Sequence, residues 1–219
     1  IIFSILLAFS IDAWWAQRNH NLIEIEQLTS IKSELELGLN NLDNVLDAVN
    51  FHSKNIDSLI ILMENAKQIP FQVSGPLLGS SIMWRTSDVS ISTLNSIMAS
   101  GSLNQLTNAE LRVKLANLPA IQMDLTEDEI TAKEFVENQM VPFLARVGLL
   151  GAAYSNRPGF KGSSSQTPVA DFANITPNEE FIGLLTVRRV HFWYTQSQLP
   201  FFRNYMLELI KLINTELEK

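Results

Sequence analysis

The feature that most restricts the fold is the stretch from Asn21 to Gln68, which contains no proline and a single glycine, Gly38. Apolar residues recur along it at alternating steps of three and four: Leu28, Ile31, Leu35, Leu42, Val45, Val49, Ile56, Leu59 and Met63. This spacing predicts one amphipathic helix, about 70 Å long at roughly 1.5 Å per residue, interrupted only at Gly38 and His52. A second row, at Leu39, Leu46 and Ile60, widens the apolar stripe and favours a helical bundle.

Composition narrows the classes of function. Of the 219 residues 46% are hydrophobic, which is enough for a packed core, and the net charge is −7. An acidic chain argues against nucleic acid as a partner. The absence of cysteine excludes disulfides, thiolate metal sites and cysteine nucleophiles. We expect no cofactor and no metal, since the sequence has no glycine-rich phosphate loop and no histidine in a recognised ligand motif.

The first residues form a separate apolar segment that ends in two tryptophans. Tryptophans beside an abrupt change to polar sequence are typical of a membrane interface. We therefore predict a transmembrane helix over residues 1–17, with four residues at its interface: Asp12, Trp14, Trp15 and Arg18. A spanning helix needs about 20 apolar residues, so its beginning is expected to precede Ile1. The alternative is a buried N-terminal core helix. The thin positive charge that follows favours a periplasmic location for residues 18–219.

After residue 68, helical patterns alternate with segments rich in proline and glycine. We predict loops at about residues 69–90 and 148–176, with helices between and after them. No hairpin turn or long period-two alternation indicates a strand. The predicted fold is therefore all-α: a membrane helix that continues into the long helix of an antiparallel, four-helix-like bundle.

Helix starts and breaks are also marked in the sequence. Thr107–Glu110 and Thr176–Glu179 match the capping box that opens a helix. Pro119 predicts a kink or a division of the helix after Thr107, and a further box at Thr126–Glu129 is a candidate cap for a fresh start. The carboxylates of Asp124 to Glu129 are then expected to be a solvated helix cap rather than a cation site.

Several motifs together resemble an uncharacterised family of bacterial single-pass membrane proteins, a domain of unknown function. They are Ile11-Asp12-Ala13-Trp14-Trp15, the segment Thr93 to Leu103, Asn108-Ala109-Glu110-Leu111-Arg112 and Leu118-Pro119. The resemblance implies a membrane helix in the bacterial inner membrane followed by a helical domain, and it implies no activity. The chain has fewer arginines after the membrane segment than members of that family often have.

Candidate binding residues are few. His52 lies on the apolar row, so we predict a hydrogen-bonded histidine of the core or its boundary rather than a metal ligand. Near the end of the chain two arginines lie beside aromatic residues, and they define a candidate patch for an anionic or aromatic ligand: Arg188, Arg189, Trp193 and Tyr194. The alternative is that Arg188 pairs with a carboxylate of the long helix while the aromatic residues fill the core.

The sequence favours a non-enzymatic interaction protein. We expect an accessory subunit, anchored in membrane lipid, that docks on other subunits of a larger inner-membrane complex, for example an energy-converting one. Apolar loops are the expected contact surfaces, namely residues 148–172 and the segment containing Phe71, Leu77, Leu78 and Trp84. The alternative function is a periplasmic four-helix-bundle ligand sensor that uses the patch at Arg188.

Overall fold

The computed structural model describes residues 2–65, 71–154 and 179–219, and no strand occurs in these ranges. The all-α prediction is therefore confirmed, whereas the antiparallel four-helix arrangement stays a prediction. The elements are α1 Ile2–Asn65, α2 Phe71–Ser81, α3 Ser92–Ala99, a 3₁₀ turn Ser102–Gln105, α4 Ala109–Phe135, a π-helical turn Val136–Met140, α5 Val141–Arg146, α6 Leu150–Tyr154 and α7 Glu179–Leu217.

The long N-terminal helix is confirmed, and it is continuous from the apolar start of the chain through the predicted amphipathic stretch. The apolar row faces inward along its length, since Leu35, Leu42, Val49 and Ile56 are each no more than 4% exposed. The second row is half-buried, as expected for the flank of a stripe.

The chain divides into two compact units, and the three longest helices each contribute to both. Unit 1 comprises residues 1–41, 88–122 and 202–219, and unit 2 comprises residues 42–87 and 123–201. Each unit packs helical segments around its own buried apolar side chains, so the helical bundle expected from the sequence is supported.

In unit 1, carboxylates of α1 hold the beginnings of later elements. The Glu34 carboxylate accepts hydrogen bonds from the backbone N–H of Thr93, at 3.0 Å, and from the Ser92 hydroxyl, at 2.6 Å. The residue before α3 is Ile91, which has no side-chain acceptor, so Glu34 acts as the cap from a distant part of the chain.

The start of α4 differs by one residue from the capping box read in the sequence. Asn108 is the capping residue, because its Oδ1 accepts the N–H of Leu111 at 3.0 Å. Thr107 is held instead by Glu24 of α1, which accepts both its backbone N–H and its hydroxyl at 2.8 Å. The prediction of a helix start here is right, and the assignment of Thr107 as its cap is wrong.

The glycine that interrupts the apolar row lies where unit 1 has no room for a side chain. A Cβ added at Gly38 would lie 2.8 Å from Met206 Cε and 2.9 Å from Val89 Cγ1. The methionine terminus can move, but the branched valine is stiff at χ1. Close packing therefore explains a glycine in the middle of a helix, where it otherwise costs stability.

Unit 2 contains the irregular part of the second long helix. The α4 helix passes through Pro119 and Thr126 without a break, so the predicted division at those residues is wrong. The change of geometry comes later, at the π-helical turn, where the Val141 N–H bonds the Val136 carbonyl. Pro142 follows directly, and a wider turn before a proline relieves the clash of its ring with the preceding turn.

The first predicted loop is wrong over residues 71–81, which form α2. Helix α2 packs against α6. The close approach of the two helices is possible because residue 79 is glycine, since an added Cβ would lie 3.1 Å from the Ala153 carbonyl oxygen. Residues 83–91 are irregular, as predicted. The second predicted loop contains α6, while the rest of it, with the capping box at Thr176, falls within residues 155–178 and lies outside the described residues.

We expect substitutions at two helical glycines to have opposite effects on stability. Gly183→Ala, where an added Cβ meets nothing within 4 Å, should raise the free energy of unfolding by about 0.5–1 kcal/mol. Gly38→Ala should not be stabilised in this way, because the added Cβ overlaps Val89. Gly38→Leu should lower the free energy of unfolding by about 1–3 kcal/mol. Urea denaturation followed by circular dichroism measures all three, and equal stabilisation by the two alanines would contradict the packing argument.

Candidate functional site

The apolar start of α1 has large hydrophobic side chains in contact with solvent on every side of the helix. Those that are half or more exposed are Ile2, Phe3, Ile5, Leu6, Leu7, Phe9, Ile11, Trp14 and Trp15. The buried-core alternative for this segment is therefore wrong. Among the described residues, no helix combines the length and the hydropathy that crossing a bilayer requires.

The four predicted interface residues lie together on this exposed part of α1. The rings of Trp14 and Trp15 are 6.2 Å apart, and the Arg18 guanidinium lies 5.5 Å from the centre of the Trp14 ring. Asp12 is exposed one turn earlier. The segment thus has its tryptophans and its charged side chains at one end and only apolar or small side chains before them.

The predicted partner contacts around α2 are mostly turned inward. Leu78 is fully buried in unit 2, so its assignment to a contact surface is wrong, and Leu77 is half-buried. Trp84 is half-buried, and the Lys133 ammonium covers its ring at 4.9 Å from the centre. The side chain of Phe71 lies outside the described part of the chain, as does the segment 155–172.

The predicted ligand patch on α7 is divided between the inner and outer faces of that helix. Trp193 and Tyr194 are 56% and 44% exposed, with their rings 5.1 Å apart, whereas Arg188 is 2% exposed. Arg189 pairs with Asp57 of α1, Nε to Oδ1 at 2.8 Å. The four residues thus form no single binding face. The alternative is also wrong in detail, because Arg189 rather than Arg188 pairs with the long helix.

Among the described residues of unit 2, Arg188 is the largest charged side chain that is fully buried. Its Nη2 donates to the backbone carbonyl of Met83, and its guanidinium carbon lies 3.8 Å above the Phe192 ring. Its Nε has no hydrogen-bond acceptor among the described residues. Burial lowers the pKa of Arg188 to about 9, so the side chain stays protonated at neutral pH.

His52 lies beside this arginine, on the α1 side. Its Nδ1 is 2.9 Å from Ser80 Oγ, to which Asn55 also donates at 2.9 Å, and its ring stacks 6.4 Å from that of Phe192. The prediction of a hydrogen-bonded histidine is confirmed. Ser80 is 1% exposed, so the pair ties α2 to α1 and does not present a hydroxyl to solvent.

Burial and arginine charges act on both half-buried imidazoles. Burial, with the charges of Arg85 and Arg188, lowers the pKa of His52 to about 4. Burial and Arg188 also lower the pKa of His191, opposed by Asp128. His191 Nδ1 is buried without a partner among the described residues, and its ring meets Phe135 edge-on at 5.0 Å.

Acidic groups near this region are engaged elsewhere. Glu129 is 4% exposed, and its Oε1 accepts the backbone N–H of Ser87 at 2.8 Å, so it is an internal anchor and the expected solvated cap is wrong for this residue. Asp128 accepts a hydrogen bond from Gln198. Nowhere in the described ranges do three or more His, Asp or Glu side chains gather in a group that suits a metal ion.

These residues define what we call the basic cluster of unit 2: His52, Arg85, Arg188 and His191. Sequence reasoning found Arg188 and His52 but missed Arg85 and the carbonyl of Met83, because neither lies on a helical stripe. An inward arginine on α7 was a usable signal, since Arg188 falls on the apolar row that contains Phe192 and Leu199.

Comparison of the chain with protein-family models, with curated proteins and with solved structures finds no match.

The lowered pKa of His52 predicts a specific dependence of stability on pH. Between about pH 6.5 and pH 4 the unfolded chain binds a proton at His52 and the folded chain does not, so stability should fall as the pH is lowered. We expect a loss on the order of 1–2 kcal/mol, less than the full shift would give because the imidazole is partly solvated.

Urea denaturation from pH 7 to pH 4 measures this, by comparing wild type with His52→Gln, in which the extra loss should be absent. Asn55→Ala is the matched control, because it removes the other hydrogen bond to Ser80 without removing a titrating group. It should lower stability about equally at every pH. Parallel pH profiles for wild type and His52→Gln would show that His52 is not responsible.

Proposed function

We propose that this protein is a non-enzymatic, membrane-anchored accessory subunit of a larger protein complex in the bacterial inner membrane, with most of the chain in the periplasm. The observation that carries the proposal is the apolar start of α1, which is exposed on all sides. Apolar surface in water costs about 25 cal/mol per Å², and lipid removes that cost without requiring a partner face on the protein.

The order of side chains along α1 supports insertion with a defined depth. The apolar residues from Ile2 to Trp15 reach about 21 Å along a helix axis, compared with about 30 Å for a hydrocarbon core. Trp14, Trp15 and Arg18 follow, and such residues prefer the headgroup layer. Glu24, which lies about 13 Å beyond Trp15 along the helix, already holds Thr107 of unit 1.

We expect Leu6→Asp to weaken attachment of the full chain to lipid vesicles. A carboxylate in the hydrocarbon region costs about 2.5–3.5 kcal/mol, so the fraction that floats with vesicles should fall at least several-fold. Leu37→Asp is the matched control, because Leu37 lies on the same helix and is 67% exposed, against 60% for Leu6. Flotation on a density gradient measures both. Equal flotation of the two variants would contradict the proposal.

The outer face of α7 in unit 2 supports a protein partner as well. Large hydrophobic side chains recur there with helical spacing and stay 42% to 61% exposed: Val187, Val190, Trp193, Tyr194 and Phe201. Contiguous apolar surface of this kind marks interaction sites on folded proteins. A subunit of the same membrane complex is the partner we propose, since the anchor would hold both proteins in one membrane.

The docking proposal predicts a position-specific contact. A photoreactive amino acid at Trp193 should crosslink in native membranes to one membrane protein, and the same amino acid at Glu134, an exposed polar position of unit 2, should not. The double variant Trp193→Ser, Tyr194→Ser should lose that protein on purification in mild detergent, as measured by mass spectrometry. If wild type purifies alone, or if both positions crosslink the same proteins, α7 is not the docking face.

A ligand sensor remains the second candidate, and one observation favours it. The buried Arg188 has a hydrogen-bonding group that the described residues leave unsatisfied. The exposed Trp193 and Tyr194 have no part in that site, since they lie on the opposite face of α7.

A further inference from the structure

Burial of the Arg188 guanidinium in unit 2 carries a large desolvation cost. Removing a cation from water carries a penalty of several kcal/mol, which a carboxylate with good geometry usually offsets. The Arg188 guanidinium donates a hydrogen bond to the Met83 carbonyl and lies over the Phe192 ring. Its Nε has no hydrogen-bond acceptor among the described residues. Its positive charge is thus only partly balanced inside the unit.

The histidines of the cluster do not offset this charge. Burial and arginine charges lower the pKa of His52 and of His191, so both imidazoles are neutral at neutral pH, and Arg85 adds a second positive charge. Three acids of unit 2 make other contacts: Asp57 pairs with Arg189, Glu129 accepts the backbone N–H of Ser87, and Asp128 accepts a hydrogen bond from Gln198 and opposes the effect of Arg188 on His191. The basic cluster therefore contains two arginine charges, and the buried Nε–H of Arg188 has no acceptor among the described residues.

The cluster also extends from the interior to the surface of unit 2. Arg188 is buried, His52 and His191 are half-buried, and Arg85 is exposed. A small anion that approaches Arg85 from solvent would meet increasing desolvation and further donors towards Arg188. Charge-assisted hydrogen bonds of this kind are about twice as strong as neutral ones, and a guanidinium suits the planar geometry of an oxyanion.

We propose that the basic cluster of unit 2 binds the oxyanion of a small ligand, a carboxylate or a phosphate, with Arg188 as its innermost donor and Arg85 at its entrance. This inference is independent of membrane attachment and gives the sensor alternative a site. The competing explanation is that Arg188 serves only to hold the Met83 carbonyl, as a fixed tie beyond the end of α2.

The experiment uses the full chain in detergent and measures the thermal midpoint in acetate, in inorganic phosphate and in chloride at matched ionic strength. We expect one or both oxyanions to raise the midpoint by about 5 °C or more at 100 times the dissociation constant. Chloride should not do so. The stronger of the two responses distinguishes a carboxylate ligand from a phosphate ligand.

Three variants decide whether the effect belongs to the cluster. Arg188→Met keeps an unbranched stem without the guanidinium and should weaken oxyanion binding by about tenfold or more. Arg85→Met, at an exposed position, should weaken binding several-fold while the protein stays folded. Arg189→Met is the matched control, since its guanidinium pairs with Asp57, and it should bind as wild type does.

Two results would overturn the proposal. One is a wild-type midpoint that responds no more to oxyanions than to chloride, and the other is an equal oxyanion response in wild type and Arg188→Met. If Arg188→Met does not fold, Arg85→Met decides, and unchanged binding in that variant rejects the site. Equal vesicle flotation of Leu6→Asp and Leu37→Asp would reject membrane attachment without affecting oxyanion binding, so the two proposals fail separately.

Discussion

The burial of a single row of side chains along α1 is the constraint on which both units depend. Leu28, Ile31 and Leu35 provide it in unit 1, and Leu42 to Met63 provide it in unit 2. At the start of the same helix the row disappears, because apolar side chains point in every direction. One helix therefore has two kinds of surface, an amphipathic part that the chain itself covers and an apolar part that it leaves exposed.

The periodic parts of the fold could be predicted from sequence because the period is a local property. The apolar row of α1 could be predicted from the alternating steps of three and four residues alone. The gap in the row at Gly38 is the place where Val89 and Met206 pack closely against the helix. What failed were features set by distant residues. Thr107 has the right chemistry for a cap, but Glu24 of α1 engages it and Asn108 takes its place. Glycine and proline suggested a loop over residues 71–81, where packing against α6 overrides them.

The candidate site could be predicted only in part for the same reason. The sequence placed Arg188 next to Arg189 and two aromatic residues, but neighbours in a helical sequence point in different directions. Arg188 therefore turns inward to Met83 while Trp193 and Tyr194 face outward. The positive surroundings of His52 depend on Arg85, which comes from an irregular segment without a periodic signal.

The α1 carboxylates that hold Thr107 and the start of α3 have a consequence for the order of folding. All-helical domains usually fold fast because their contacts are close in sequence. Here Glu34 reaches α3 across 58 positions, and Glu24 reaches Thr107 across 83. Closing such long loops costs entropy before any hydrogen bond forms. The start of α3 and Thr107 can therefore gain their carboxylate acceptors only after α1 is in place. In the folding transition state of unit 1 we therefore expect α1 to be formed while α3 and the segment at Thr107 are still frayed.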